Sequence, residues 1–340
     1  MNPFQPRALG RTSLFLTALG CGGSAIGNLY HPVSEEEAAD TIKAAFAAGV
    51  RYFDTAPLYA NGLGEHRMGR ELRLYGRESY VLSTKVGLLL RPLEPGRTGT
   101  ENDQHQLPFE VVHDYGYDGV MRSIEDSLQR LGMNRIDIAL IHDIEPHHLG
   151  KTGQKLRFPD AMDGGYRALR RLRDEGTITA IGVGVNDWKV CRDCLAEADF
   201  DCFLLAGRYT LLDQSALGTL LPACLERGCG VIIGAPFNSG ILARGATDGA
   251  TYFDAKPARK IVEKTRRMER ICESHGVTLS AAALRFPFGH AAVVSVIPGV
   301  RSAAHVARNI RAFQESIPCD LWLELKEEGL IADEAPLPEA

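Results

Sequence analysis

The chain has none of the features that tie a protein directly to a membrane, a nucleic acid or an oxidising compartment. No apolar run reaches the length of a membrane-spanning helix. The first residues, Met1-Asn2-Pro3-Phe4-Gln5-Pro6-Arg7, hold no apolar core of signal-peptide length, so a soluble, cytoplasmic protein is expected. Basic residues are not in excess: 38 Lys and Arg stand against 43 Asp and Glu, a formal charge of -5. That balance leaves no footprint for nucleic acid or for an anionic membrane surface. The eight cysteines are scattered through apolar segments and form no dense framework. One C-x-x-C, Cys191-Arg192-Asp193-Cys194, lacks a second pair and a nearby His, and it falls in a helical stretch. Buried small hydrophobes are expected there, not a redox or metal centre. His147-His148 reads as a solvated loop pair without carboxylate or Cys partners at ligand spacing, so no metal site is expected.

What is present is enough apolar material for a large core: 340 residues, 45% of them hydrophobic. One domain over 1–340 is expected, with the tail 328–340 disordered because of its Pro- and Glu-rich end. Residues 7–20 read as a short hairpin and a first strand. Gly20-Cys21-Gly22-Gly23-Ser24-Ala25 has the spacing of a dinucleotide fingerprint, but Gly27, Asn28 and Pro32 follow where a helix should open. Ser34-Glu35-Glu36-Glu37 is a capping box, and Ala38, Ile42, Ala45 and Phe46 recur at helical spacing up to Gly49. The pattern then alternates. Strands are expected at 50–53, 80–86, 136–141, 178–185, 201–206, 229–234 and 293–297. Helices are expected near 64–75, 120–131, 160–175, 187–198, 214–227, 257–275 and 302–313. From Gly87 to about His113 runs a long irregular segment rich in Pro, Gly, Asn, Asp and Gln, read as a substrate-side loop or lid.

About eight strand–helix alternations with short, uninterrupted apolar strands indicate a parallel sheet, and their number in this length fits a closed (β/α)8 TIM barrel with a short N-terminal β-hairpin. Active sites of such barrels lie at the C-terminal strand ends. Four groups fall there: Asp54, Tyr59 just beyond the same strand, Lys85 and His142. Singly, each has a plain reading as a turn former, a packed ring, a solvated cation or a satisfied core histidine. Their placement on successive strands of one rim points to acid/base chemistry.

These residues sit in stretches that resemble the aldo-keto reductase superfamily. They are Leu9-Gly10-Arg11-Thr12, Gly49-Val50-Arg51-Tyr52-Phe53-Asp54-Thr55-Ala56 with Tyr59, Gly64-Glu65, Ser83-Thr84-Lys85, Ser127 to Gly132, Gly182 to Asn186, and Ile297-Pro298-Gly299 with Asn309. Leu29-Tyr30, Asp114 to Gly119, His142-Asp143-Ile144 and Gly234 to Gly240 resemble a subgroup containing L-fucose or D-threo-aldose 1-dehydrogenases and pyridoxal 4-dehydrogenases. The resemblance implies a catalytic tetrad of Asp54, Tyr59, Lys85 and His142. Physically, a free phenol with a pKa of about 10 is a poor acid/base near neutrality. A Lys85 ammonium beside it is expected to lower that pKa, with Asp54 holding the ammonium charged and His142 orienting the substrate oxygen.

For the cofactor, the resemblance implies Asn186 at the nicotinamide carboxamide, Phe237, Ser239 and Gly240 along the pyrophosphate, and Asn309 at the adenine. The family's stacking aromatic falls at Gly234 and a customary Gln at Ala206, so Tyr209 or Phe237 is expected to supply the ring surface. The usual grips on a 2′-phosphate fall at Gly299 and His305, with Arg301 and Arg308 nearby, so NAD is expected to be preferred over NADP. Tyr30, Phe109, Tyr115 and Trp188 are the substrate-side candidates by position. The expected activity is oxidation of an aldose hemiacetal to its lactone. Oxidation of pyridoxal to 4-pyridoxolactone is the alternative. An NADPH-dependent aldehyde or ketone reductase stands further off, as does a non-catalytic nicotinamide-binding regulator. The partner is a small molecule, and the oligomeric state is left open.

Overall fold

The computed structural model describes residues 1–28, 31–94 and 105–338. Tyr30, one of the substrate-side candidates, lies outside them. The chain opens with an antiparallel hairpin, β1 (Pro6–Ala8) and β2 (Phe15–Thr17), in which Pro6 faces Thr17 and Ala8 faces Phe15. There follow β3 (Cys21–Gly22), β4 (Tyr52–Asp54), β5 (Val81–Val86), β6 (Leu88–Pro92), β7 (Phe109–His113), β8 (Ile138–His142), β9 (Ala180–Val185), β10 (Cys202–Ala206), β11 (Gly230–Gly234) and β12 (Val293–Ile297). Eight of these make one sheet in the order β12-β11-β10-β9-β8-β5-β4-β3, every pairing parallel. Parallel bridges Leu19–Val296 and Gly22–Gly299 join its two edges. The sheet is thus closed, and the barrel read from the alternation is the fold observed.

The strands are buried on both faces, β8, β9 and β11 throughout. One set of side chains fills the barrel, and the other meets the surrounding helices. The inner set includes Tyr52, Ile138, Leu140, Cys202, Leu204 and Ile232, and the hairpin adds Leu9 and Leu16, both fully buried. Burying each of those leucines contributes roughly 2 kcal/mol. Gly10, at φ +54°, sits where a Cβ would run into the Gly228 carbonyl at the N-terminal end of β11. The hairpin is therefore a plug in the N-terminal mouth, and it leaves the C-terminal mouth for function.

The helices are α1 (Glu35–Ala48), α2 (Leu63–Leu72), α3 (Tyr117–Leu131), α4 (Pro146–Asp160), α5 (Tyr166–Asp174), α6 (Trp188–Glu197), α7 (Leu220–Arg227), α8 (Ile241–Arg244), α9 (Arg259–Ser274), α10 (Leu279–Arg285), α11 (Ala303–Gln314) and α12 (Cys319–Glu327). The Ser34–Glu37 capping box opens α1, and left-handed Gly49 closes it. No described helix is long and apolar enough to cross a membrane.

Three expectations change. The segment 87–113 is not irregular at its ends: β6 and β7 pair antiparallel, Leu88 with His113 and Pro92 with Phe109. Leucine and valine at the two ends of a polar stretch find each other across it, which a local composition rule does not register. Helical structure between β8 and β9 begins at Pro146, not at 160, because Pro is compatible with a first helical turn. The tail is not disordered as far as Pro338. Leu330, Ile331 and Ala335 are buried, and the Pro336 carbonyl packs on Gly289. Its few apolar residues dock on a surface that the rest of the fold presents.

Candidate active site

Along β4 the side chains alternate, so Tyr52 and Asp54 enter the barrel while Phe53 joins the helical layer. Lys85, on the neighbouring β5, also points inward and is only 2% exposed. Its stem runs past Gly184 on β9, where a Cβ would stand 3.2 Å from Lys85 Cε. Lys85 Nζ donates to Asp54 Oδ2 (2.7 Å), to the Thr55 carbonyl (2.9 Å) and to the Tyr59 hydroxyl oxygen (3.3 Å), so all three ammonium hydrogens are engaged. Ser83 Oγ donates to the other Asp54 oxygen at 2.6 Å. Burial alone would lower the lysine pKa; the Asp54 carboxylate and the Tyr59 oxygen outweigh it and raise the ammonium above its ordinary value.

Tyr59 departs from the expectation of a lowered pKa. Burial pushes the phenol up to about 12, and Lys85 only partly opposes that push. The resting group is a protonated phenol. His142 ends β8 and is buried, its ring edge-on to Tyr59 with centroids 6.3 Å apart. Burial, then the charge of Lys85 and then His148, hold its pKa well below the ordinary value, so it acts as a neutral imidazole. Tyr115 is fully buried, and its hydroxyl donates to the His142 carbonyl at 2.8 Å. It is thus a support beneath the site, not the substrate-facing ring expected, because the turn after β7 directs it inward past Gly87.

The residues expected on the cofactor side lie after β9, after β11 and on α11. Asn186 follows β9, and its carbonyl accepts from Arg208 Nε at 2.8 Å. Phe237, Ser239 and Gly240 lie in the turn after β11, where Ala235, Asn238 and Ser239 all hold positive φ (46°, 46° and 58°). Such backbone strain concentrates at ligand clamps. Ser239 Oγ donates to Asp254 Oδ1 at 2.8 Å. Asn309, on α11, is buried beside a small pocket lined by Gly20, Cys21, Pro298, Val300 and Val306. His305 is held below its ordinary pKa by burial and then by Arg308, Arg301 and Arg244. Arg244 of α8 is therefore a third guanidinium at this end, and sequence reading missed it.

Gly234 leaves little room for a ring, since a Cβ there would stand 3.0 Å from Leu204 Cδ2. Tyr209 does not replace the missing aromatic. It is fully buried and packs on Phe286, centroids 5.4 Å apart, and on His290. Phe237 remains partly exposed at the turn. Of the other substrate-side candidates, Phe109 lies on β7, and its carbonyl accepts from Asn61 Nδ2 at 2.6 Å, which ties the ribbon to the Tyr59 loop. Trp188 opens α6 two residues beyond Asn186, half-buried, with Arg192 over its ring.

The reading of His147-His148 as a loop pair without partners is overturned for His148. It stands one helical turn beyond Glu145 on α4, with Nε2 3.7 Å from both Glu145 Oε1 and Asp143 Oδ1. Asp143 Oδ1 is in turn 3.5 Å from His142 Nε2. Burial and then Glu145 raise the Asp143 carboxyl well above its ordinary pKa; burial raises Glu145 against the hydrogen bonds from Asn186. Asp143, Glu145 and His148 could each offer one ligand atom within 4.8 Å of the others. However, Asn186 Nδ2 lies 3.3 Å from Glu145 Oε1 and 3.2 Å from His148 Nε2, so an amide already bridges two of the three. The signal available in the sequence was two carboxylates directly after a strand-end histidine. Cys191 and Cys194 are fully buried on α6, and burial raises both thiols, which suits small core residues.

Residues 18–327 match the aldo/keto reductase family. The chain is 45% identical to a pyridoxal 4-dehydrogenase of Microbacterium luteolum, over 96% of this chain and 98% of that one. It is 38% identical to a D-threo-aldose 1-dehydrogenase of a Pseudomonas species, over 97% and 99%. Its fold is similar to an aldo-keto reductase structure from Bacillus halodurans, with a TM-score of 0.74 at 22% identity over 98% and 99% of the two chains.

Proposed function

Because the chain belongs to the aldo/keto reductase family, we propose that it oxidises the hydroxyl-bearing carbon of a cyclic hemiacetal to a lactone, with NAD preferred over NADP. The observation that carries this reading is the buried Asp54–Lys85–Tyr59 chain beside a neutral His142. A nicotinamide bound at the mouth supplies the hydride acceptor. His142 donates a hydrogen bond to the substrate hydroxyl oxygen and aims it at Tyr59. Tyr59, as phenolate, takes the hydroxyl proton, and the Lys85 ammonium stabilises that phenolate. Asp54 keeps the ammonium in place. In reverse, the phenol returns the proton.

Asn186, Phe237, Ser239, Gly240 and Asn309 would hold the cofactor from carboxamide to adenine. Arg244, Arg301 and Arg308 would meet its phosphates. Because neither Gly299 nor His305 adds a cation, kcat/KM is expected to be higher with NAD than with NADP; the opposite order in initial-rate measurements would overturn the preference.

The two relatives named above act on an aldose and on pyridoxal, and both compounds close to cyclic hemiacetals. The greater identity to the pyridoxal 4-dehydrogenase favours pyridoxal; the aldose reading rests on the second relative. Initial rates of the purified protein on aldoses and pyridoxal with NAD separate them, and absence of turnover on every hemiacetal would sink both.

The raised Tyr59 pKa sets a pH signature. Oxidation needs the phenolate, whose fraction grows about tenfold per pH unit below the pKa. Oxidation kcat/KM is therefore expected to climb from about pH 7 to about pH 10, while reduction, which uses the phenol, stays level over that range. An oxidation profile that is flat there would remove Tyr59 as the base.

A further inference from the structure

Glu145 is fully buried immediately before the first residue of α4, yet its side chain does not cap that helix. It is turned across to β9. Oε1 accepts from the Asn186 backbone N–H at 2.8 Å and from the Asn186 amide Nδ2 at 3.3 Å. The same Nδ2 faces His148 Nε2 at 3.2 Å. These contacts fix which way the amide points. With Oδ1 and Nδ2 exchanged, Oδ1 would stand against Glu145 Oε1, acceptor against acceptor. Burial, then His147 and His113, hold His148 below its ordinary pKa, and a neutral imidazole with its hydrogen on Nδ1 would accept the second amide hydrogen with Nε2. Both amide hydrogens are therefore engaged on the protein side. What Asn186 leaves without a hydrogen-bond partner among the described residues is Oδ1, an acceptor. Arg208 Nε, on the Asn186 carbonyl, pins the backbone from the other side.

We infer that Glu145 and His148 are positioning residues that take both amide hydrogens of Asn186, so that the site accepts a hydrogen bond from a carboxamide N–H on the bound cofactor and disfavours a ring substituent without one. The inference rests on the proposed reading of Asn186 as the group that meets the nicotinamide substituent. Neither Glu145 nor His148 touches reacting atoms. Their effect is a donor/acceptor polarity, and it predicts a preference among cofactors that differ only at that substituent. NAD carries a carboxamide N–H; its 3-acetylpyridine analogue carries a methyl ketone, which can only accept.

The test compares the binding of NAD and of the acetylpyridine analogue, by protein fluorescence in the absence of substrate, for wild type, E145Q, E145A and H148A. Wild type is expected to bind NAD about tenfold more tightly than the analogue, the scale of one lost hydrogen bond. E145A and H148A are expected to reduce that ratio to about twofold or less by releasing the amide to rotate. E145Q keeps an acceptor oxygen and is expected to retain most of the ratio. A purely structural role for Glu145 would weaken both cofactors equally and leave the ratio unchanged, and that result would overturn the inference. H148A, at a partly exposed side chain, decides the matter if E145A does not fold. Failure of wild type to bind NAD at all would instead remove the proposed function. Titration with Mn2+ or Zn2+ alone provides the remaining arm: stoichiometric binding that E145A abolishes would make the cluster a cation site and overturn the role assigned here.

Discussion

Tyr59→Phe is expected to lower kcat in both directions by about a thousandfold or more while leaving NAD affinity within about twofold of wild type. The substitution removes only the hydroxyl. Lys85 Nζ loses its contact to that oxygen at 3.3 Å but keeps Asp54 and the Thr55 carbonyl at 2.7 and 2.9 Å, so the buried cation remains bound. The ring still packs edge-on to His142. Stability should therefore change by no more than about 1 kcal/mol. The measurements are steady-state rates in both directions, a cofactor titration and a denaturant unfolding curve. A variant that keeps a tenth of wild-type turnover would show that another group moves the proton.

Lys85→Met should lose both activity and stability, by separate routes. In the folded protein the Lys85 and Asp54 side chains are each 2% exposed, and they lie 2.7 Å apart. Removing the cation leaves a carboxylate whose one remaining side-chain donor among the described residues is Ser83 Oγ. Breaking a buried pair in this way costs about 3–5 kcal/mol. Asp54→Asn combined with Lys85→Met takes away both charges and should recover most of that loss. Activity should not return. Without the ammonium nothing opposes the burial that already pushes the phenol up to about 12, so oxidation should fall about a thousandfold in either variant. Urea unfolding with parallel rate assays distinguishes the two effects. Full stability of the single variant would mean that Asp54 is relieved by protonation or water in a way the buried geometry does not indicate.

The parts of the site legible beforehand were those that follow from position within one element. Asp54, Lys85 and His142 each end or nearly end an apolar strand, and a parallel barrel presents such ends at one mouth. Tyr115 shows where this stops. Its sequence position beyond a long polar segment suggested exposure, but the β6–β7 ribbon, paired from Leu88 to His113, turns it under His142. Tyr209 was misplaced for the same reason: a strand-end aromatic can face the mouth or the helical layer, and contacts with Phe286 and His290 decide for the layer. His148 looked solitary because its neighbours in space, Asp143 and Asn186, belong to two different strand ends.

The sequence by itself determined the alternation of the eight barrel strands with helices, the closed parallel architecture, and the family, but not the β6–β7 ribbon, α10 or α12. These depend on short uninterrupted apolar runs, on repeats of 3.6 residues and on motifs that are read locally. It also placed Asp54 and Tyr59 on one rim with Lys85. Only the tertiary structure decided the protonation states and the direction of each polar group. Tyr59 carries a proton at rest because burial, which no local pattern reports, exceeds the pull of Lys85. The Asn186 amide nitrogen is turned to Glu145 Oε1, 41 residues earlier, and its oxygen is left free of that contact. Desolvation and donor–acceptor pairing depend on what surrounds an atom, and those surroundings exist only once the barrel has closed.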